Sequence, residues 1–214
     1  MRPPLLLQVP LTLATLAWLP GNTAKLLALL ALWLLSFGRI SAREGFFYAG
    51  VCLFFSAMNA VSLRQGIFAF HAPDWLGMPC YEFFMWGFYL LHSWRLLGGP
   101  APGGLAWPAW GLALLYAAAF GGIADASLLL CVTAALLALG LLLFHEPLDL
   151  VYTGYLVALG AAVEYTGVHS GLWSYPAPPP GGVPLWFITL WGGVGLLMRR
   201  LMVPLLAAAA RRPH

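Results

Sequence analysis

Two glutamates lie inside apolar segments of a chain that has only 7 acidic residues. Glu82 comes about one turn after the start of a predicted helix, and Glu164 about one turn before the end of another. The other acids fall in loops or at predicted helix ends: Glu44, Asp74, Asp125, Glu146 and Asp149. Because a charge is costly inside a bilayer, an ionisable residue there is a functional candidate by default. We therefore expect the two glutamates to lie at similar depth and to serve as acid and base.

Aromatic side chains accompany both carboxyl groups. Trp86 and Tyr89 follow the first glutamate at spacings of four and seven, which places all three on one helix face. Trp173 and Tyr175 stand in the loop after the second glutamate. A carboxylic acid can protonate an alkene, and aromatic faces stabilise the cation that forms. The pattern predicts acid-initiated chemistry on an apolar lipid; the structural alternative is an interfacial belt of Trp and Tyr.

Further residues are predicted to complete a pocket around the two acids. Arg64 is expected to form an ion pair with one of the neighbouring acids, Glu82, Glu164 or Asp74. Asn59 is expected to share a hydrogen bond with Glu164. The predicted catalytic residues are Glu82 and Glu164. The predicted substrate-binding residues are Asn59, Arg64, Tyr81, Trp86, Tyr89, His169, Trp173, Tyr175 and Trp191.

No motif indicates a metal ion or a cofactor, and none is expected. The sequence lacks HExxH, GxSxG, a P-loop and the paired aspartates that bind diphosphate through magnesium. His145 stands beside Glu146 and Asp149, but at a membrane interface such a group more often marks a solvated helix boundary than a metal site. His92 lies deep in its predicted helix and is expected to be a core histidine.

The composition indicates the class of protein. Hydrophobic residues make up 62% of the 214 residues and charged residues only 8%, against about a quarter in soluble domains. The chain is therefore predicted to be an integral membrane protein in contact with the lipid bilayer. The net charge of +3 comes from arginines at segment ends, which indicates membrane orientation and not nucleic-acid binding. The 3 cysteines have neither disulfide nor zinc spacing.

An internal duplication organises the chain. The segment 66–87, GIFAFHAPDWLGMPCYEFFMWG, is echoed without a gap by 171–192, GLWSYPAPPPGGVPLWFITLWG, 105 positions later. In this frame Glu82 corresponds to Phe187, and Glu164 to Asn59. Eight apolar runs follow the same period, at about Leu5–Leu19, Thr23–Phe37, Phe46–Leu63, Pro79–Leu97, Leu105–Gly121, Ala126–Phe144, Leu148–Val168 and Pro184–Met198. The first two are the least secure, because a span needs roughly 20 residues.

The sequence thus predicts an all-α integral membrane fold of about eight transmembrane helices, with seven as the alternative. Two parallel four-helix repeats, at about 1–104 and 105–214, would form a single membrane domain, 1–214. Pro79 and Pro184 are expected at the first positions of their helices. Most arginines fall on one side of these spans, which the positive-inside rule places with both termini in the cytoplasm, in the cell's inner membrane. These arginines are Arg2, Arg39, Arg43, Arg95, Arg199, Arg200, Arg211 and Arg212.

Two segments resemble a known superfamily. Residues 79–83, PCYEF, resemble the P-x-E-E-F motif of the membrane lycopene cyclases. Residues 164–175, which read E-x-x-G-x-x-x-G-x-W-x-Y, resemble the related carotenoid hydratases. The resemblance implies that membrane-embedded carboxylates protonate a polyene or terpenoid alkene, after which a ring closes or water adds. Tyr81 replaces the first acid of the family motif, which favours a reaction at one end of the substrate.

The leading hypothesis is a membrane enzyme that cyclises, hydrates or isomerises an apolar isoprenoid or carotenoid-like lipid without a cofactor. Two alternatives stay open. A small transporter would use the same intramembrane carboxylates. A non-catalytic lipid-binding or assembly protein would use the glycine-rich helix at Gly192, Gly193 and Gly195 as a packing surface. The sequence allows an oligomer but gives no support for one.

Overall fold

A computed structural model describes residues 3–176 and 178–207 of the chain. Three arginines used for the predicted orientation, Arg2, Arg211 and Arg212, lie outside the described residues. The sequence also predicts that the short basic segment Ala207–His214 rests at the cytoplasmic headgroups, and of this segment only Ala207 is described.

The described residues form eight main helices, which confirms the predicted all-α membrane fold. The last of them continues through a π-helical turn, Met198–Met202, into a short helix, α9 (Val203–Ala207). The eight helices are α1 (Pro3–Trp18), α2 (Asn22–Phe37), α3 (Ala42–Arg64), α4 (Glu82–Leu97), α5 (Trp107–Gly122), α6 (Ala126–Leu143), α7 (Pro147–His169) and α8 (Trp186–Leu197).

Three helices of the described chain are long and apolar enough to cross a membrane. They are α3, α6 and the continuous helix Trp186–Ala207. α1 and α2 are apolar but have only 16 residues each. At 1.5 Å per residue such a helix covers about 24 Å, less than the roughly 30 Å of the hydrocarbon core. α4 and α5 also have 16 residues, so length does not single out the first two spans, and their lower security stays a prediction.

The helix bounds repeat at the offset of the sequence duplication. α3 begins at Ala42 and ends at Arg64, and α7 begins at Pro147 and ends at His169, so both bounds differ by 105. The pairs α1 and α5, α2 and α6, and α4 and α8 also correspond closely, the last when the π-helical turn is included. The two repeats stay a prediction, which this correspondence favours.

The described residues divide into two compact units. Unit 1 contains those of Met1–Leu96 and Ala162–Val183, and unit 2 contains those of Leu97–Ala161 and Pro184–His214. Each unit therefore draws residues from both predicted repeats. The single membrane domain of residues 1–214 stays a prediction.

Glycines let the helices of unit 2 pack closely, with α6 against α5 and α8. A Cβ atom at Gly195 would lie 2.5 Å from the carbonyl oxygen of Tyr152, and one at Gly193 would lie 2.5 Å from the Tyr116 ring. Real Cβ atoms do not approach so closely, so these positions depend on glycine. The glycine-rich segment of α8 is thus a packing surface within the chain.

The interior of unit 1 contains aromatic pairs and a polar cluster around His92. The ring of Trp33 in α2 stacks on Phe88 in α4 at 4.5 Å between centroids. Gln8 donates to the Ser36 hydroxyl at 2.5 Å, and its Oε1 atom lies 2.6 Å from Nδ1 of His92. His92 is 1% exposed, so the expectation of a core histidine with a hydrogen-bond partner agrees with the structure.

Two short strands join the loops before α4 and α8, and the helical pattern did not predict them. β1 (Ala69–Phe70) pairs antiparallel with β2 (Trp173–Ser174). Ala69 lies opposite Ser174, its counterpart 105 positions later. We call residues 65–81 and 170–185, which contain these strands, the paired loops. A two-residue strand is too short to give an alternation signal in the sequence.

The prolines of the paired loops lie ahead of their helices, so the prediction that they occupy the first helical positions was wrong. α4 begins at Glu82 and α8 at Trp186. The Glu82 amide donates to the Pro79 carbonyl at 3.0 Å, and the Phe187 amide donates to the Pro184 carbonyl at 3.2 Å. Each proline therefore opens a tighter i→i+3 turn that leads into the helix.

Asp74 anchors the first paired loop. Its Oδ2 atom accepts hydrogen bonds from the Asn22 side chain and from the Cys80 amide, both at 2.9 Å. His71 reaches the second paired loop, with Nδ1 donating to the Gly171 carbonyl at 2.9 Å and Nε2 lying 2.9 Å from the Ser174 hydroxyl. The loops are thus held by side chains as well as by the strand pair.

Two ion pairs occupy corresponding places in the duplicated frame. Arg95 bonds Glu44 at 2.8 Å, and Arg200 bonds Asp149, with Nε at 2.8 Å from Oδ1. Each arginine stands 105 positions from the other, and so does each acid. Arg95 also donates to the carbonyl oxygens of two residues, Phe37 and Arg39. Each pair joins the first turn of a long helix to the helix that follows it.

Acidification should release the Asp74 anchor. The Cys80 amide, and then the Asn22 side chain, stabilise the carboxylate and hold the pKa of Asp74 below its usual range. A carboxyl whose pKa is lower in the folded state stabilises the fold above its unfolded pKa, about 3.9, and this is lost as the pH falls through the folded pKa. We expect amide protection of residues 72–80 in hydrogen exchange to fall below about pH 4. Asp74→Asn should lack this step, and identical pH profiles in the two proteins would contradict the assignment.

Asp149→Asn should destabilise the protein more than Glu44→Gln. Asp149 is fully buried, and its loss leaves Arg200 buried without its closest anion, which typically costs about 3 kcal/mol. Glu44→Gln leaves Arg95 with two carbonyl acceptors and partial exposure, so about 1 kcal/mol is expected. Thermal unfolding in detergent measures both. Equal losses would contradict this ranking.

Candidate functional site

Glu164 lies buried in unit 1, with 8% of its surface exposed. Its Oε2 atom accepts a hydrogen bond from the Tyr175 hydroxyl at 2.6 Å and another from the Trp173 indole nitrogen at 3.2 Å. Both donors are themselves buried and come from the second paired loop. A buried carboxyl group requires such donors, so this loop fixes the position of Glu164.

The end of α7 brings these two donors back onto the helix. Gly171 has φ +65, and its amide donates to the Val168 carbonyl while the Leu172 amide donates to the Gly167 carbonyl. This is the Schellman pattern, in which a glycine in the left-handed region reverses the chain. Gly167 then leaves room for the Trp173 ring, because a Cβ atom there would lie 1.9 Å from the ring.

Glu82 is the first residue of α4 and is half-buried. Its Oε1 atom accepts a hydrogen bond from the Asn59 amide at 3.1 Å. The predicted bond between Asn59 and Glu164 was therefore wrong, because the α3 side chain faces the acid of its own repeat. The second oxygen of Glu82, Oε2, accepts no hydrogen bond from the residues that the structure describes.

The two carboxyl groups share one electrostatic environment in unit 1. Glu82 and Glu164 interact with each other and with the hydroxyl groups of Tyr89 and Tyr175. Like charges oppose each other, so the two acids are electrostatically coupled. The sequence thus identified two acids that the fold does bring together.

Aromatic rings pack around this cluster. Trp86 stacks on Phe55 of α3 at 4.1 Å and meets Tyr89 edge-on at 6.5 Å. In the paired loops, Phe70 meets Trp173 at 5.8 Å between ring centroids. These distances and tilts are typical of packed aromatic pairs. The rings therefore form packed aromatic pairs on the helices and loops that carry the acids.

Two residues of the predicted pocket, Arg64 and His169, do not join the cluster. Arg64 is exposed and forms no ion pair within the described residues, contrary to expectation. His169 is exposed, and its Nδ1 atom bonds the Tyr165 carbonyl of its own helix at 2.9 Å. Trp191 belongs to unit 2, where its ring lies over Gly160. Arg64 and His169 are the last residues of α3 and α7, and polar side chains at a helix end can reach water instead of the buried acids.

Lys25 is a residue of the site region that the sequence analysis did not select. It lies in α2, is 7% exposed, and places its ammonium group 5.9 Å from the centre of the Tyr81 ring. Tyr81, a predicted pocket residue, is buried and directly precedes Glu82. The signal was present, since a lysine within an apolar run is as unusual as a glutamate there.

Gly167→Ala should disturb the Glu164 cluster. The added methyl group would overlap the Trp173 ring, and overpacking of this kind costs about 1–3 kcal/mol. Gly154→Ala in the same helix is the matched control, because its Cβ meets nothing within 4 Å and helix propensity improves. Thermal unfolding and hydrogen exchange of residues 172–176 measure the difference. Equal stability and protection in the two variants would show that the tryptophan does not depend on this glycine.

Comparison with known proteins gives a match of fold only. No protein-family model and no curated protein matches the chain. The crystal structure of the mycobacterial Insig homologue MvINS from Mycobacterium vanbaalenii is similar, with 18% identity, a TM-score of 0.66, and coverage of 82% of this chain and 98% of that one. A cross-linked trimer of an MvINS variant is similar at the same identity and coverage, with a TM-score of 0.68.

These similar structures correct two predictions. They are Insig homologues, so the predicted membership of the lycopene cyclase and carotenoid hydratase superfamily was wrong. Short Pro-, Gly- and aromatic-rich motifs near helix ends are common in membrane proteins, which explains the misleading resemblance. Insig homologues are not known as enzymes, so the prediction of an isoprenoid or carotenoid cyclase, isomerase or lyase was also wrong. The helices long enough to span a membrane and the similar membrane-protein structures both support an integral membrane protein.

Proposed function

We propose that this chain is a non-catalytic membrane protein that binds an apolar lipid carrying a hydroxyl group. The acceptor would be Oε2 of Glu82, which no described residue engages while Asn59 holds the other oxygen. This open acceptor, on the helix that also carries the packed rings of Trp86 and Tyr89, is the observation that carries the proposal. The fold of a non-catalytic class of membrane protein supports it.

The hydrogen bonds of Glu164 favour binding over turnover. Its Oε2 atom already accepts from two buried donors, Tyr175 and Trp173. A general acid or base must exchange a proton with the reacting group in the transition state. A carboxyl group held in this way is better suited to fix the second paired loop and to act electrostatically on Glu82. Glu164 would therefore be a positioning residue and Glu82 the ligand contact.

The ligand class follows from the surroundings of Glu82. A half-buried carboxyl oxygen in apolar surroundings gains most from a donor that arrives with its own apolar body. The stacked pair of Trp86 and Phe55, with Tyr89 beside it, offers flat apolar faces to that body. A membrane alcohol fits this combination, whereas an ionised lipid head group would meet like charge. Asn59, Trp173 and Tyr175 would support the site from behind.

The orientation of the chain is part of the same proposal. Five described arginines lie on the predicted cytoplasmic side: Arg39, Arg43, Arg95, Arg199 and Arg200. Their position supports cytoplasmic termini in an inner membrane. The cross-linked trimer of the similar protein supports an oligomeric state for this chain too.

Binding of oleyl alcohol and of its methyl ether tests the function. The purified protein in detergent should bind the alcohol roughly tenfold more tightly than the ether, because only the alcohol donates a hydrogen bond to a carboxyl group. Glu82→Ala should lose this preference. Asp125→Asn, which alters an exposed helix cap, should keep it.

Two results would count against the proposal. Equal binding of alcohol and ether by the unaltered protein would remove the hydrogen bond on which it depends. Recovery of a probe lipid in chemically altered form would show turnover. Mass spectrometry of the bound and extracted lipid distinguishes both from the expected result.

A further inference from the structure

Arg199 is a buried cation with unused donors. It lies in the π-helical turn after α8 and is 1% exposed. Its Nη2 atom is 3.4 Å from Oε2 of Glu146, a long ion pair. Its Nε and Nη1 atoms have no hydrogen-bond partner among the described residues. Buried guanidinium groups are normally satisfied on all sides, so acceptors for Nε and Nη1 are to be expected.

The nearby carboxylates are already engaged. Asp149 accepts two hydrogen bonds from Arg200 and a third, at 2.9 Å, from the Glu146 amide. Glu146 is shared, since its Oε1 atom lies 3.3 Å from Arg200 and accepts from the Gly103 amide at 3.1 Å. Neither acid therefore supplies the missing acceptor for Arg199.

The local field favours an anion at this place. Two guanidinium groups and the positive end of α7, which begins at Pro147, face the two carboxylates. The Glu146 side chain is 40% exposed, so it is free to move toward water when another anion approaches. An oxyanion that replaced it could accept from Nη2 together with one of the two unpartnered groups, Nε or Nη1.

We infer that Arg199 binds a phosphate oxyanion, supplied by a phospholipid head group or by free phosphate, with Glu146 as the group that it displaces. Phosphate offers several acceptor oxygens, and the guanidinium fork matches them in pairs. A lipid source is favoured by the membrane setting, because Arg199 lies in a helix that is long and apolar enough to span the bilayer. The site lies in unit 2 and is independent of the alcohol site proposed in unit 1. At the corresponding position of the first repeat stands Trp94, so this site has no copy there.

Native mass spectrometry in detergent tests the inference with phosphatidylglycerol and inorganic phosphate as probes. The full chain should retain one phosphatidylglycerol, and Arg199→Gln should weaken that binding roughly tenfold. Arg43→Gln, which alters an exposed arginine at the same predicted membrane side, is the matched control and should bind as the unaltered protein does. Competition by inorganic phosphate would identify free phosphate as a sufficient ligand, and its failure would identify the lipid as the source.

A second variant keeps the test decisive if Arg199→Gln does not fold. Glu146→Gln removes the competing charge and keeps Arg199, so phosphatidylglycerol should bind several-fold more tightly. Unchanged or weaker binding in this variant would overturn the inference. Equal binding by folded Arg199→Gln and the unaltered protein would overturn it as well.

Discussion

A carboxyl group buried in an apolar protein must be surrounded by donors, and Glu164 shows how much structure that requires. Two donors reach it only because the chain reverses at Gly171 and because Gly167 has no side chain. The same reversal presents β2 to β1 and so joins the paired loops. Burial of one acid thus determines the end of α7, the short strand pair and the aromatic packing beside it.

Residues 105 positions apart in this chain match at some structural contacts and differ at the candidate binding sites. The ion pair of Glu44 with Arg95 has its counterpart in Asp149 with Arg200, so both halves retain the same link between helices. Polar residues near the two proposed sites have no such counterpart. Glu82 corresponds to Phe187, and Arg199 to Trp94. The ion pairs between helices therefore recur at the offset of 105 residues, whereas the candidate binding residues do not.

The sequence predicted the elements well because membrane helices are defined by composition and length. Apolar runs, the period of 105 and helix-ending glycines located eight helices to within a few residues. The same reasoning selected Glu82 and Glu164, since acids in apolar runs are rare. It also selected Trp173 and Tyr175, which bond Glu164. Local pattern was sufficient for each of these.

Partner choice between helices was not predictable in the same way. Asn59 bonds Glu82 and not Glu164, and Arg64 turns to the surface, because rotation and depth of neighbouring helices decide which side chains meet. The two-residue strands and the turns at the prolines depend on such tertiary contacts as well. Family assignment failed for a related reason, since short motifs record local chemistry and not the whole arrangement of helices.

The choice between lipid binding and acid catalysis depends on whether the carboxyl groups are held by hydrogen bonds or are free to transfer a proton. Acid chemistry on an alkene needs a carboxylic acid whose proton points at the substrate, with its oxygens otherwise free to accept the charge that develops. In unit 1 the more deeply buried acid, Glu164, is tied to the loop by Tyr175 and Trp173, and Glu82 is tied on one side by Asn59. Among the described residues, Oε2 of Glu82 is left as an acceptor without a hydrogen bond. This arrangement suits the proposed binding of a lipid hydroxyl better than proton transfer to an alkene.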